Sequence, residues 1–87
     1  MYTIQLLEEA KRSLALLDKS VARRIIRKVR WLAENADSVK PDPLRKNLSG
    51  NAKLREGDYR IIYQIFREDE LIVVRFIGHR SEVYKGR

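Results

Sequence analysis

The stretch Lys53-Leu54-Arg55-Glu56-Gly57-Asp58-Tyr59-Arg60-Ile61-Ile62-Tyr63 constrains the fold more than any other. Two alternating runs flank Gly57-Asp58, a dipeptide suited to a tight β-hairpin turn in which glycine supplies a positive φ. A two-residue loop pairs Glu56 with Tyr59, Arg55 with Arg60, Leu54 with Ile61 and Lys53 with Ile62. Side chains alternate faces along a strand. Lys53, Arg55 and Arg60 therefore share one face, and Leu54, Ile61 and Tyr63 share the other, which is a core face. Like charges directly opposite one another are unfavourable, so a sheet that carries three cations on adjacent strands is suited to receive an anion. The alternative is a solvated face on an edge hairpin.

A second hairpin follows. Arg67-Glu68-Asp69-Glu70 is a polar turn, and Leu71-Ile72-Val73-Val74-Arg75-Phe76-Ile77 is strongly β-prone. With Glu68-Asp69 as the loop, Arg75 falls opposite Ile62 on the cationic face, while Ile72, Val74 and Phe76 join the core face. Gly78-His79-Arg80 breaks or bends this strand. Val83-Tyr84 then brings a phenol back toward the same end of the sheet, ahead of the basic Lys85-Gly86-Arg87.

Upstream, Tyr2-Thr3-Ile4-Gln5-Leu6 alternates as a short strand. Ala10, Leu14 and Leu17 recur at helical spacing, with Glu8 and Glu9 where a helix dipole favours acids. Asp18 or Ser20 can cap a second helix running to about Ala36. Its apolar stripe is Val21, Ile25, Val29, Leu32, Ala33 and Ala36, widened by Ala22 and Ile26. Outside the stripe it is basic: Lys19, Arg23, Arg24, Arg27, Lys28 and Arg30 precede its first acid, Glu34. Trp31 lies off the stripe, between Arg24, Arg27 and Lys28. It can pack on the loop near Pro41 to Leu44, stack with Arg27 as a cation–π pair, or anchor a protein or RNA partner. Asp37 to Gly50 reads as a loop, pinned by Leu44 and Leu48. The predicted class is α+β with element order β-α-α-β-β-β: a helical hairpin packed on one face of a mainly antiparallel sheet, with the cationic face open.

Composition narrows what that face can do. An 87-residue chain suits one small domain, residues 1–87. No cysteine and a single histidine argue against a disulfide framework or a zinc site. No apolar run approaches membrane-spanning length, and no signal peptide is evident, so the expected compartment is the cytoplasm. Nineteen Lys and Arg against 12 Asp and Glu give a net charge of +7, which favours a polyanionic partner, nucleic acid or an acidic protein.

The candidate constellation is Lys53, Arg55, Arg60 and Arg75, with His79, Arg80 and Tyr84 at the rim. No paired carboxylates, Ser/His/Asp set, phosphate-binding glycine loop or Mg²⁺-holding acid cluster accompanies it. Such a set binds phosphates, and it can also cut RNA without metal. The 2′-OH attacks the adjacent phosphate, leaving a 2′,3′-cyclic phosphate and a 5′-OH end. Cations stabilise the charge growing on the phosphoryl oxygens, while one group accepts a proton and another returns one. Tyr84, Lys53 and His79 are the proton-transfer candidates. As a lone histidine in a bend, His79 reads better as a turn or capping residue.

Asn47-Leu48-Ser49-Gly50, the Lys53-to-Tyr63 hairpin and Gly78-His79-Arg80-Ser81-Glu82-Val83-Tyr84 together resemble the RelE/ParE toxin superfamily, and the closing segment resembles its RelE branch. The resemblance spans essentially the whole chain. It implies a RelE-like fold and the toxin of a type II toxin–antitoxin module. The implied activity is a ribosome-dependent, metal-independent endoribonuclease that cuts mRNA in the A site and so inhibits translation. The implied partners are the ribosome with its mRNA and a RelB-like antitoxin bearing an acidic segment; no cofactor or metal is implied. By position, Lys53, Arg60, Arg80 and Tyr84 match catalytic residues, His79 is a further candidate, and Arg55, Arg75 and Lys85 are expected to contact RNA. Two departures stand out. Asn51 occupies the position of a second lysine, and the family's C-terminal helix is not expected here. The competing readings are a ParE-like gyrase inhibitor, which generally lacks the catalytic set, and a basic nucleic-acid-binding module without catalysis.

Overall fold

The computed structural model describes residues 1–43 and 50–84, the last for its backbone only. The Leu44 and Leu48 anchors, the Asn47–Ser49 part of the motif and Lys85 lie outside the described residues. Strand β1 (Thr3–Leu6) leads into helices α1 (Glu8–Leu16) and α2 (Lys19–Asn35). Strands β2 (Asp42–Pro43), β3 (Ala52–Glu56), β4 (Tyr59–Phe66) and β5 (Leu71–His79) follow, then a short helix α3 (Arg80–Tyr84). The sheet order is β1-β5-β4-β3-β2. All pairings are antiparallel except β1 with β5, which run parallel from Thr3 opposite Leu71 to Leu6 opposite Val74.

The expected α+β class and helical hairpin on one face of the sheet are found. Ile25, Val29, Leu32 and Ala33 of α2 and Ala10 of α1 are buried in one cluster with Ala52, Ile61, Tyr63, Ile72, Val74 and Ile77. Asp18 is the residue before α2, although its side chain makes no capping hydrogen bond. The stripe is narrower than expected, because Ile26 is exposed. Arg67 closes the far end of α2. It donates from Nη1 to the Ala36 carbonyl at 2.9 Å and from Nη2 to the Val39 carbonyl at 3.4 Å.

The first hairpin has the expected register: Glu56 opposite Tyr59, Arg55 opposite Arg60, Leu54 opposite Ile61 and Lys53 opposite Ile62. Gly57 takes φ +59, which an L side chain rarely adopts.

Four expectations are corrected. First, the β4–β5 ladder follows the expected register only as far as Tyr63 opposite Val74. An irregularity between Ile62 and Tyr63 then sets Ile62 opposite Phe76 instead of Arg75. One extra residue on β5 shifts the alternation, as a β-bulge does, so Ile77 is buried in the core in place of Phe76. Second, the Asp37–Gly50 segment contributes β2, whose Asp42 pairs with Lys53. Proline can sit there because β2 is an edge strand. Third, the break expected at Gly78-His79-Arg80 comes only after His79: Arg60 is opposite Gly78 and Tyr59 opposite His79, and α3 starts at Arg80. Fourth, a short helix, α3, does follow the sheet. Among the described residues no helix is long and apolar enough to cross a membrane.

Candidate active site

The site forms where the first hairpin turn, the end of β5 and α3 meet. The Arg80 backbone N–H, one of the orphan donors of a helix start, bonds to the Asp58 carbonyl at 2.7 Å. Turn and helix are thereby joined. His79 precedes α3 and caps it reciprocally. Its Nδ1 accepts from the Ser81 N–H at 3.2 Å, and its own N–H donates to Glu82 Oε1 at 3.1 Å. This is the arrangement of a capping box with histidine in place of serine or threonine. The Ser81 hydroxyl also lies 3.0 Å from Nδ1. The ring packs edge-on against Tyr59, centroids 5.5 Å apart at 81°. The capping role read from sequence is thus found, and His79 pairs with a residue packed on the helix-side core. Lys53, Arg55 and Arg60 belong to the other face.

On that other face, Arg55 is exposed and Lys53 half-buried. Lys53 Nζ lies 4.0 Å from Asp42 Oδ2. Asp42 is the site residue that sequence reading missed. Its only signal is its place on edge strand β2 opposite Lys53, invisible while the segment reads as a loop. Arg60 behaves unlike its neighbours: only 6% of it is exposed. Its Nη1 donates to the carbonyls of Gly57 at 3.0 Å and Tyr59 at 2.9 Å, while its buried Nε has no hydrogen-bond partner. The guanidinium thus braces the turn and keeps an unused donor. It has no carboxylate within ion-pairing distance among the described residues. A buried cation in that condition is stabilised by an arriving anion.

Arg75 is exposed beside the bulge, and Arg80 is exposed at the start of α3. Tyr84 ends α3. Ile62 and Val83 are buried outside the main cluster, so the cationic face has a small apolar floor toward α3. Gly78 makes this possible. A Cβ there would stand 2.7 Å and 2.9 Å from the Phe76 ring and 3.1 Å from Glu82 Oε1. The sheet therefore brings Lys53, Arg55 and Arg60 together, and the Asp58–Arg80 bond adds Arg80 to that end. It sets His79 toward the opposite face. Asn51, where the resemblance expects a lysine, has a buried Oδ1 without a hydrogen-bond partner.

A set of guanidinium and ammonium groups with one nearby acid can bind a phosphodiester and stabilise added negative charge on it. The family model described as the ParE toxin of type II toxin–antitoxin systems, parDE, matches residues 4–84. Toxin RelG of Mycobacterium tuberculosis is 37% identical over 43 residues, 49% of this chain and 49% of that protein, so the match spans about half the length of this relative. A chain of the RelBE2 toxin–antitoxin complex of Mycobacterium tuberculosis superposes with a TM-score of 0.80 at 29% identity, covering 91% of this chain and 98% of that one. The isolated RelE toxin of E. coli gives 0.76 at 25% identity, covering 97% and 92%. The chain belongs to the ParE toxin family, and with it to the RelE/ParE toxins of type II toxin–antitoxin systems.

Proposed function

We propose that this toxin is a ribosome-dependent endoribonuclease that cuts mRNA in the A site and is held inactive by a RelB-like antitoxin. The observation that carries the reading is the buried guanidinium of Arg60, which has no carboxylate within ion-pairing distance among the described residues and is set opposite Arg55 with Lys53 on the same face. The scissile phosphate lies on this face. The 2′-oxygen bonds to phosphorus as the bond to the 5′-oxygen breaks. One proton leaves the 2′-OH and one reaches the departing 5′-oxygen, so the products are a 2′,3′-cyclic phosphate and a 5′-OH end. Arg55, Arg60 and Arg80 stabilise the phosphoryl oxygens, and Arg75 and Lys85 hold flanking phosphates. Tyr84, matched by position to the RelE branch, takes the proton from the 2′-OH, and Lys53 gives one to the departing 5′-oxygen. His79 caps α3 and so positions Arg80 and Tyr84.

The antitoxin is expected to lay an acidic, partly disordered segment on the cationic face. The RelE toxins with which this chain superposes include one in a RelBE2 toxin–antitoxin complex.

A second reading, ParE-like inhibition of gyrase, is favoured by the description of the matching family model. Primer extension on an mRNA translated in a purified system separates the two. Cuts at A-site codons that need both ribosomes and this protein support the nuclease; intact mRNA with folded, antitoxin-free protein refutes it. Tyr84→Phe should lower cleavage about 10²–10⁴-fold, the range for a lost proton-transfer group, with ribosome binding retained.

A further inference from the structure

We infer that the sheet face carrying the cations continues past them as a track for single-stranded RNA, on which Gln64 reads one base and Phe66 stacks another. The inference deepens the RNA-directed reading above and rests on it. Alternation along β4 builds the track. Ile61, Tyr63 and Ile65 pack with the helix-side core, so Arg60, Ile62, Gln64 and Phe66 leave the strand on the other side. The register carries this face across the neighbouring strands. Val73 lies opposite Gln64, and Gln5 opposite Val73; Leu71 lies opposite Phe66, and Thr3 opposite Leu71. Asn51 stands one step beyond the Ala52–Tyr63 pair, which sets it beside Gln64.

The rows of this face differ in chemistry. Lys53, Arg55 and Arg60 hold the turn end. Ile62 is buried, as is Val83 of α3, and beyond Ile62 the face opens. The next row is uncharged and carries the carboxamides of Asn51, Gln64 and Gln5. The last carries Phe66, which leaves 41% of its surface in solvent. Gln5 and Thr3 are exposed, and Gln64, Val73 and Leu71 half-buried. A Cβ on Gly50 would stand 3.7 Å from Gln64 Nε2, so the Gln64 carboxamide lies toward the chain entering β3. Beside it, Asn51 Oδ1 is a buried acceptor without a hydrogen-bond partner, a cost that an arriving N–H relieves.

Same-face residues of a strand step by about 6.8 Å, so the track from Arg60 to Phe66 is about 20 Å long. Its order matches the division of labour in RNA recognition. Cations hold phosphate and fix position, while neutral polar groups and aromatic faces meet the bases. The exposed acidic turn Glu68-Asp69-Glu70 follows Phe66 and repels phosphate, which closes the track at that end.

The occupant follows from charge. An acidic polypeptide finds cations at the turn end but none on the Gln64 and Phe66 rows. A single strand of RNA has a phosphate for the cations and bases for the rest. A carboxamide sets a donor beside an acceptor, the pair that N7 and N6 of adenine match. Adenine is therefore the base favoured at Gln64, and stacking on Phe66 accepts any base.

The test is fluorescence anisotropy with labelled 2′-O-methyl hexaribonucleotides, which lack the attacking hydroxyl and stay intact: UUUAUU, UUUGUU and UUUUUU. Wild type should bind the adenine-bearing strand about 5-fold tighter than the other two, the lower end for one bidentate base contact. Gln64→Thr keeps strand propensity and should abolish that preference. Phe66→Leu should weaken all three strands about 5-fold through lost stacking. Lys53→Gln/Arg55→Gln should weaken all three equally and keep the preference for adenine, because phosphate contacts carry no sequence information. Wild type that binds none of the strands, or binds them alike, would overturn the inference. So would Gln64→Thr and Phe66→Leu variants that melt and bind RNA as wild type does, or that lose only an acidic polypeptide such as poly-glutamate, which assigns the face to a protein. Adenine-dependent binding by a protein that cuts no mRNA on ribosomes would uphold the track and sink the nuclease reading.

Discussion

Arg67, in the β4–β5 turn, donates to the carbonyl of Ala36 at the end of α2, with 2.9 Å between Nη1 and oxygen. The same guanidinium lies 3.9 Å from Asp37 Oδ1, which also accepts from the Tyr2 hydroxyl at 2.8 Å. One side chain thus ties a hairpin turn to a helix end. The exposed ion pair adds little, so the hydrogen bonds dominate. Arg67→Ala should lower stability by about 1–2 kcal/mol, read as an earlier urea midpoint with an unchanged slope. RNA cleavage should fall no further than that loss of stability explains, because Arg67 stands at the end of β4 away from the Gly57-Asp58 turn.

His79 offers a sharper contrast. Asparagine is as good an N-cap as any residue, and alanine is poor. His79→Asn should keep the bond to the Ser81 N–H, the melting temperature and the cleavage rate. His79→Ala should cost about 1 kcal/mol and reduce cleavage by loosening α3. Loss of cleavage in a well-folded His79→Asn variant would instead give the imidazole a chemical role.

Gly78 should not accept alanine. The added methyl would stand 2.7 Å from a Phe76 ring carbon, and either the ring or α3 has to move. Overpacking of this kind costs about 1–3 kcal/mol. Cleavage should fall further than that loss of stability explains, because α3 carries Arg80 and Tyr84. Gly78→Ala/Phe76→Leu, which removes the clashing ring, should recover part of both.

Alkaline pH should destabilise the fold through two tyrosines. The Tyr2 phenol is held above its ordinary value by its bond to Asp37, then by burial. Tyr63 is raised by burial beneath the helices, with the Asp42 charge adding to it and Arg67 opposing. Both folded values exceed the unfolded one, so the unfolded chain releases these protons first. Their contribution is complete below about pH 10 and declines as pH rises through the folded values. Tyr2→Phe/Tyr63→Phe should therefore lose less stability than wild type between about pH 9 and 11, measured by urea denaturation at each pH.

Sequence carried the Gly57-Asp58 hairpin fully, because a two-residue turn fixes register and register fixes faces. The β5 bulge was not legible. Leu71 to Val74 is apolar throughout, so no alternation marks which residues face the helices, and the extra residue at Arg75 leaves no compositional trace. β2 was hidden because Asp42-Pro43 has turn chemistry and pairs only as an edge. Helical spacing offers Trp31 three cationic neighbours, Arg24, Arg27 and Lys28, and cannot say that Lys28 Nζ comes to 4.6 Å from the ring centroid. Alternation puts Lys53, Arg55 and Arg60 on one face, as the register does, whereas it gives no sign that Arg60 is buried. Alternation says which face a side chain leaves from; it cannot say that a long guanidinium folds back onto its own turn.

The parallel pairing of Thr3 with Leu71 has a consequence for synthesis. β1 reaches the ribosome's exit early and has no hairpin neighbour to pair with, because among the described residues its partner strand is β5. At a translation rate of about 5–20 residues per second it waits several seconds with its hydrogen-bonding edge bare. Until β5 emerges, the sheet has no centre, α1 and α2 have no complete floor, and the end of β5 that joins the turn to α3 does not exist. The junction of turn, β5 and α3 is therefore completed only once β5 has emerged, long after the two helices that pack on the sheet have left the exit.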